Sequence, residues 1–143
     1  MPTQLERERH RARRSALLAL YCADVTGADA LTCLAQQEDL EPAVEAFSRK
    51  LVGGVEERRD DLDAEISDVA EHWTIERMPP IDRAILRIAL FELVGLPDVP
   101  EGASINEAVE LAKCYSTSDS SRFVNGLLGR LATRTGTERT RAT

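Results

Sequence analysis

The sequence predicts an all-α protein, and three observations lead to this fold class. Apolar residues make up 43% of the 143 positions, which suffices for a buried core, whereas aromatic residues make up only 4%. Ala, Leu, Glu and Arg are abundant, which favours helices over strands. Apolar residues also recur every three or four positions, the spacing of one helical face. We expect a single domain over residues 1–135 and a disordered tail over 136–143.

The first half of the chain predicts helices over about 7–24, 28–37 and 43–71, the last divided in two by a bend. Gly27 is expected to end the first helix, because glycine readily adopts the positive φ that ends helices. Pro42 suits the first turn of the third helix, where no backbone N–H is needed. The bend is expected at Gly53-Gly54 and the charged run that follows them.

The second half predicts three more helices. Pro79-Pro80 indicates a boundary near 73–80 between two helical subdomains, because proline disfavours helix in the residue before it. The segment 81–94 is apolar around most of its circumference and therefore belongs at the centre of the fold. Ser104 and Glu107 have the spacing of a capping box that would open a helix reaching Tyr115. The final helix follows a hydroxyl-rich turn and gives way to polar, disordered chain from Thr133. The result is about seven helices in two small bundles packed as one unit.

Within the final helix, two residues are expected to serve packing. Asn125 is predicted to satisfy a buried polar group, and Gly126 indicates the close approach of another backbone. Asp119 suits the start of a helix, where a carboxylate accepts from free backbone N–H groups.

Charge is segregated along the chain. The net charge is −7, yet residues 1–14 hold five Arg against two acidic residues, and residues 130–143 hold four Arg against one. A basic arm on an acidic body attracts a phosphate backbone locally and repels it elsewhere, which favours a defined RNA path. A solvated, purely structural helix end remains an alternative explanation of the same charges.

Signals of catalysis or metal binding are weak. The three cysteines, Cys22, Cys33 and Cys114, are widely spaced, and this spacing supports neither a disulfide framework nor a zinc site. We expect them to be reduced and mostly buried. His10 and His72 are far apart in sequence, and no phosphate-binding glycine loop is present. The amino terminus lacks the apolar core of a signal peptide, and no stretch is long enough to span a membrane. We expect a cytoplasmic protein that is not an enzyme and needs no cofactor or metal.

The basic arm has a regular pattern. Successive intervals of three or four residues place five side chains on one helical face: Arg7, Arg11, Arg14, Leu18 and Tyr21. Arginine contacts phosphates and an aromatic ring stacks on a base, so this face suits single-stranded RNA. Arg9 and Arg13 would widen the basic surface. The alternative is that Tyr21 packs into the core while the arginines only solubilise the helix start.

Three ordered motifs resemble the NusB family. They are IDRAILRIALFEL at 81–93, INEAVELAK at 105–113, and Asp119-Ser with FVNG at 123–126. Val99-Pro100 and the arm sequence Leu18-Ala-Leu-Tyr21 also resemble that family, so the similarity covers nearly the whole chain. His10, Glu6 and Glu8 interrupt the usual arm, and Ser121 and Arg122 depart from the usual residues before Phe123.

The resemblance implies a two-subdomain helical fold that binds boxA-type RNA in nascent ribosomal transcripts. It also implies a complex with NusE, a small-subunit ribosomal protein, within the RNA polymerase antitermination complex. Carried over by position, the expected RNA-binding residues are Arg9, Arg11, Arg13, Arg14, Tyr21, Asp119 and Phe123. Asp82 is expected near the partner surface. The alternative function is a helical protein-interaction module, possible as a homodimer, with weak or no RNA binding.

Overall fold

The computed structural model describes the backbone of residues 1–71 and 73–142 and the side chains of 1–71 and 73–136. Seven α-helices and one turn of 3₁₀ helix occupy these residues, and none of them forms a strand, which confirms the predicted all-α class. The elements are α1 (Gln4–Thr26), α2 (Ala30–Ala35), α3 (Pro42–Glu57), α4 (Arg59–Ala70), the 3₁₀ turn (Ile75–Arg77), α5 (Pro80–Gly95), α6 (Glu101–Tyr115) and α7 (Ser118–Ala142). None of the described helices has a stretch long and apolar enough to cross a bilayer.

Helix α5 lies at the centre of the fold, as its all-round apolar sequence predicts. It packs against α1, α3, α4, α6 and α7, and every residue from Ala84 to Leu93 is buried. On one side α1 packs against α2 and α3, and on the other α6 packs against α7. Helix α4 packs against α5 and α7, across the subdomain boundary expected near 73–80. Because α4 packs against helices on the other side of this boundary, the contacts do not divide the chain there, and the position of the boundary stays a prediction.

Helix ends in the first half follow the expected local chemistry. Gly27 has φ 79° and donates its N–H to the Ala23 carbonyl, so it ends α1 in the left-handed conformation. Pro42 occupies the first turn of α3. The predicted division of 43–71 into two helices is confirmed, and the break lies at Arg58, within the charged run. The glycine part of the prediction is wrong, because α3 runs through Gly53 and Gly54. Gly54 instead allows the Phe91 ring of α5 to approach, since a Cβ at this position would overlap that ring.

The predicted capping box at Ser104 is also wrong. Helix α6 begins three residues earlier, because the Pro100 carbonyl accepts from the N–H groups of Ala103 and Ser104. The Ser104 hydroxyl is buried and donates to Glu92 Oε1 at 3.1 Å instead of capping a helix. Glu107 Oε2 lies 2.6 Å from His10 Nδ1 on α1.

Helix α7 corrects the expectations for the end of the chain. It continues past Thr133, and Thr135 is buried. Asn125 is exposed and a Cβ at Gly126 would meet nothing within 4 Å, so neither residue has the packing role expected for it. The face of α7 that enters the core is formed by Val124, Leu127, Leu128 and Leu131. The tail predicted at 136–143 lies mostly outside the residues whose side chains are described, and its disorder stays a prediction.

The three cysteines differ in their surroundings. Cys33 is buried and Cys22 is partly buried, whereas Cys114 is exposed, contrary to the expectation that they are mostly buried. Burial raises the pKa of the Cys33 thiol, and the neighbouring Cys22 raises it further. The higher pKa lowers the fraction of thiolate at Cys33 and with it the reactivity of this thiol.

Candidate RNA-binding surface

The five residues predicted to share one face of α1 all lie exposed on it: Arg7, Arg11, Arg14, Leu18 and Tyr21. We call this set the α1 stripe. The opposite face of the helix is buried through Ala12, Ala16 and Leu17. Leu18 is 39% and Tyr21 36% exposed, so the Tyr21 ring is not a core residue. Thr3 Oγ1 accepts from the Glu6 N–H at 3.1 Å, which caps the helix and keeps its basic first turns ordered.

The guanidinium groups of the α1 stripe differ in their present partners. Arg7 donates to the Pro2 carbonyl at 2.8 Å and to Gln4 Oε1 at 3.1 Å. Arg11 Nη1 donates to Glu41 Oε1 at 2.8 Å. Within the described part of the chain, Arg14 has no hydrogen-bond or ion-pair partner. All three are at the surface, and Arg14 is the most readily available for a phosphate.

The remaining two arginines of the arm are placed differently. The Arg9 guanidinium lies 5.4 Å from the centre of the Phe47 ring, a distance typical of a cation–π contact. Arg13 is 3% exposed and extends into the core. Its Nε donates to both Glu92 carboxylate oxygens, at 3.1 and 2.9 Å, and its Nη2 donates to Oε1 at 2.7 Å. The structure therefore gives Arg13 an internal role, and its guanidinium is not on the surface expected to contact RNA.

A groove of about 320 Å³ runs beside the α1 stripe. Arg11, Arg14 and Leu18 form one wall, and residues of the α2–α3 loop, among them Asp39 and Glu41, form the other. One wall is thus basic with an apolar patch, and the other is acidic. A nucleic-acid strand that lies along this groove meets both signs of charge.

A second groove, of about 270 Å³, contains the other predicted residues. It is lined by Trp73, Met78, Pro79, Asp82, Asp119, Ser120 and Phe123. Asp119 is exposed in the first turn of α7 and Phe123 is half-buried one turn later. Trp73 is 52% exposed. An exposed Trp73 and a half-buried Phe123 beside a carboxylate offer stacking faces and a hydrogen-bond acceptor for an unpaired base.

Asp82 is 3% exposed and holds the beginning of α7 in place. Its two carboxylate oxygens accept from Ser116 Oγ at 2.7 Å and from Ser120 Oγ at 2.8 Å. Each carboxylate oxygen therefore accepts one hydrogen bond inside the protein. The structure therefore shows Asp82 as a residue that positions Asp119 and Phe123, and it does not offer its carboxylate to a partner at the surface.

Arg83 connects the two surfaces. Its Nε donates to Asp24 Oδ2, in the last turns of α1, at 2.6 Å. Its Nη1 lies 3.4 Å from the Met78 carbonyl, next to the second groove. Arg83 thus bonds to α1 three residues beyond Tyr21 and to Met78, which lines the second groove. The sequence does not reveal this role of Arg83, although the residue belongs to the 81–93 motif.

Two further residues of these surfaces and their support, Glu92 and Trp73, were not predicted from the sequence. A carboxylate within the apolar α5 sequence was a signal for Glu92, because a buried charge requires a partner. An exposed Trp has no comparable sequence signal. Among the described residues, no three His, Cys, Asp or Glu side chains are grouped as a metal site; His72 lies outside those residues.

Comparisons with known proteins give consistent results. The family model described as "NusB family" matches residues 10–133. Transcription antitermination protein NusB of Symbiobacterium thermophilum is 45% identical over 132 residues, which cover 85% of this chain and 86% of the relative. The protein of the same name from Saccharopolyspora erythraea is 48% identical over 128 residues, covering 87% and 86%.

Solved structures agree with the sequence relatives. NusB of T. maritima superposes with a TM-score of 0.84 at 32% identity, covering 93% of each chain. A chain from a crystal structure of the antitermination factors NusB and NusE in complex with dsRNA gives 0.82 at 25% identity, covering 90% of this chain and 98% of that one. The matched segment 10–133 spans most of α1 and every later helix up to the middle of α7. The chain therefore belongs to the NusB family of transcription antitermination proteins.

Proposed function

We propose that this protein binds boxA-type single-stranded RNA in nascent ribosomal transcripts together with NusE, as part of the RNA polymerase antitermination complex. It acts in the cytoplasm by binding and positioning RNA, without catalysis or a cofactor. The observation that carries the proposal is the α1 stripe, in which three exposed arginines and an exposed tyrosine follow one another on a single helical face.

The dimensions of the stripe suit a short RNA segment. Residues 7 to 21 span about 21 Å of helix at 1.5 Å per residue. Arginine binds phosphate oxygens through a planar, permanently charged group, and stacking of a base on an aromatic ring contributes about 1–3 kcal/mol. The stripe therefore supports phosphate contacts along its basic end and base stacking at Tyr21.

Single-stranded RNA fits this surface better than a duplex does. Bases within a duplex are stacked on each other and present no free ring face to a tyrosine. Each surface carries at least one aromatic ring that can stack only on an unpaired base. The α1 stripe contains Tyr21, and the second groove contains Trp73 and Phe123. In the proposed path, phosphates follow Arg7, Arg11 and Arg14, and the bases turn towards the rings.

Asp119 and Phe123 are proposed to contact bases and not the backbone. The Asp119 carboxylate repels phosphate but accepts hydrogen bonds from base amino and imino groups. Asp82, through Ser120, fixes the turn of α7 that carries both residues. A role for NusE is supported by the structural neighbour that contains NusB and NusE in complex with dsRNA.

The alternative is a protein-interaction module with little RNA binding. It is favoured by the acidic net charge of −7 and by the internal use of Arg13, which leaves fewer cations for RNA than the arm sequence suggests. Under this alternative the protein acts through NusE or through a second copy of itself.

Fluorescence anisotropy distinguishes the two functions. A labelled single-stranded boxA RNA is titrated with the full chain, with and without NusE, at low and at physiological salt. We expect salt-sensitive binding that NusE strengthens, and weaker binding to a scrambled RNA and to the same sequence in a duplex. Absence of binding in all conditions, combined with a stable complex with NusE alone, would overturn RNA binding in favour of the interaction module.

A further inference from the structure

The loop between α2 and α3 places acidic residues beside the basic face of α1. Residues 36–41 include Glu38, Asp39 and Glu41 and contain no Lys or Arg. All three acidic side chains are exposed. We call residues 36–41 the acidic loop. It adds negative charge at the edge of the surface that is proposed to bind a polyanion.

The acidic loop is held against α1 at a fixed position. Gln37 Nε2 donates to the Ser15 carbonyl of α1 at 2.9 Å. Leu40, three residues later, packs against the hydrophobic core. Asp39 adopts the left-handed conformation with φ 62°, which Asp tolerates better than most residues. The acidic side chains are therefore presented by an anchored loop.

Glu41 is directed at the α1 stripe and not at its own helix. It occupies the N-cap position of α3, yet its side chain makes no capping hydrogen bond. Its Oε1 lies instead 2.8 Å from Arg11 Nη1, across the gap between α1 and α3. The two side chains are 60% and 55% exposed, so solvent and a ligand can reach the pair. Glu41 thus places a carboxylate on the exposed guanidinium of Arg11.

We propose that the acidic loop competes with RNA phosphates for the α1 stripe, and that Glu41 limits the affinity of this surface by neutralising Arg11 in the free protein. This inference rests on the proposed RNA binding. Glu41 occupies one of the five N–H donors of Arg11 and offsets its charge, so a phosphate that approaches Arg11 meets a carboxylate beside it. Asp39 faces the same groove as Arg14. A polyanion that makes few other contacts is therefore bound weakly, while an RNA that also engages the aromatic rings and NusE overcomes the competition.

The size of the effect follows from the exposure of the pair. An exposed ion pair is weak in water, so Glu41 yields to a well-placed phosphate. The displaced carboxylate nevertheless stays within the Debye length of about 10 Å at 0.1 M salt and continues to repel the bound strand. We expect Glu41→Gln to tighten RNA binding by roughly three- to tenfold at low salt, with the gain shrinking as salt rises.

The experiment measures anisotropy of the labelled single-stranded boxA RNA with the full chain over a series of salt concentrations. Glu56→Gln is the matched control, because it removes the same charge from the same helix and Glu56 also pairs with an arginine, Arg59. It lies about 22 Å along α3 from Glu41, more than twice the Debye length at 0.1 M salt, where the two variants are compared. We expect Glu56→Gln to change the affinity less than twofold, which separates a local effect from one of net charge.

A second pair of variants tests whether Glu41 acts through Arg11. In an Arg11→Ala background, we expect Glu41→Gln to lose at least half of the gain that it gives in the wild type. An undiminished gain in that background would overturn competition for Arg11, as would equal effects of Glu41→Gln and Glu56→Gln.

The outcomes also separate this inference from the function on which it rests. If the wild-type protein binds RNA and Glu41→Gln binds it no more tightly, the inference fails and RNA binding stands. If neither protein binds RNA, with or without NusE, both fail. Binding by Glu41→Gln where the wild type shows none would support both.

Discussion

Arg13 and Glu92, 79 positions apart in the sequence, form a buried ion pair that joins α1 to the central helix α5. The side chains are 4% and 1% exposed, and three hydrogen bonds connect them. The Ser104 hydroxyl on α6 donates to the same carboxylate. The Arg13 guanidinium also lies 5.9 Å from the Phe47 ring of α3. Four helices thus meet at one charged pair, which fixes how α1 is rotated and therefore which arginines face solvent.

Loss of either partner of this pair is expected to destabilise the fold. Arg13→Ala leaves the Glu92 carboxylate buried without its counter-ion, and Glu92→Ala does the same to the Arg13 guanidinium. We expect each to lower the free energy of unfolding by about 3–5 kcal/mol. Urea denaturation followed by circular dichroism measures the change.

The double variant Arg13→Met, Glu92→Leu is the control for this interpretation. Apolar residues of similar volume remove both charges together, so we expect the double variant to be more stable than either single Ala variant. If each single variant lowers the free energy of unfolding by less than about 1 kcal/mol, water reaches the ion pair and screens it.

Asp82→Ala is expected to destabilise the protein more than Asn125→Ala. The first change leaves the hydroxyls of Ser116 and Ser120 without their buried acceptor, at a cost of about 1–3 kcal/mol. Asn125 is exposed, so its removal should change stability by less than about 0.5 kcal/mol. Thermal unfolding compares the two, and equal shifts in Tm would contradict the structure.

The adjacent glycines of α3 provide a matched pair of substitutions. Gly54→Ala places a methyl group against the Phe91 ring, and overpacking of this kind costs about 1–3 kcal/mol. A Cβ at Gly53 would meet nothing within 4 Å, so Gly53→Ala should stabilise the helix by about 0.5–1 kcal/mol. Chemical denaturation should show changes of opposite sign in the free energy of unfolding of the two variants. A stabilising Gly54→Ala would show that Phe91 moves aside easily.

The elements that the sequence predicted well are those that depend on local chemistry. Gly27 ends α1 because the turn requires positive φ, and α5 is central because its apolar residues cover most of its circumference. Ser104 and Gly54 were misassigned because their roles depend on residues in other helices, Glu92 and Phe91. Neither partner is visible from spacing within one segment.

The same limit applies to the candidate site. Helical spacing placed Arg11, Arg14 and Tyr21 correctly on one exposed face, since that face depends only on the helical period. It did not show that Arg13 lies on the opposite, buried side facing Glu92. Nor did it show that Glu41, 30 positions away, contacts Arg11. The partners that neutralise a charge come from the tertiary fold.

The three thiols are expected to react at different rates with a thiol-specific reagent at neutral pH. Cys114 is exposed and should react first, in the folded protein. Cys33 should react only on unfolding, because it is buried and burial raises its pKa, which keeps the thiolate fraction low. Reaction followed with and without urea, using Cys114→Ser to remove the fast phase, tests this order. A fast phase that persists in Cys114→Ser would contradict it.

The α1 stripe is tested by the double variant Arg11→Ala, Arg14→Ala. Both side chains are exposed, so folding should be unaffected, while RNA affinity falls and the dependence of log K on log salt decreases by roughly 0.7–1 unit per lost phosphate contact. Arg59→Ala is the control, because it removes an arginine side chain that is 40% exposed and pairs with Glu56, far along α3 from Glu41, the partner of Arg11. Anisotropy over a salt series measures both slope and affinity.

Because Arg11 is already paired with Glu41 and Arg14 is not, Arg14→Ala alone should account for the larger share of the loss. Equal slopes for the double variant and the wild type would remove the stripe from the RNA path.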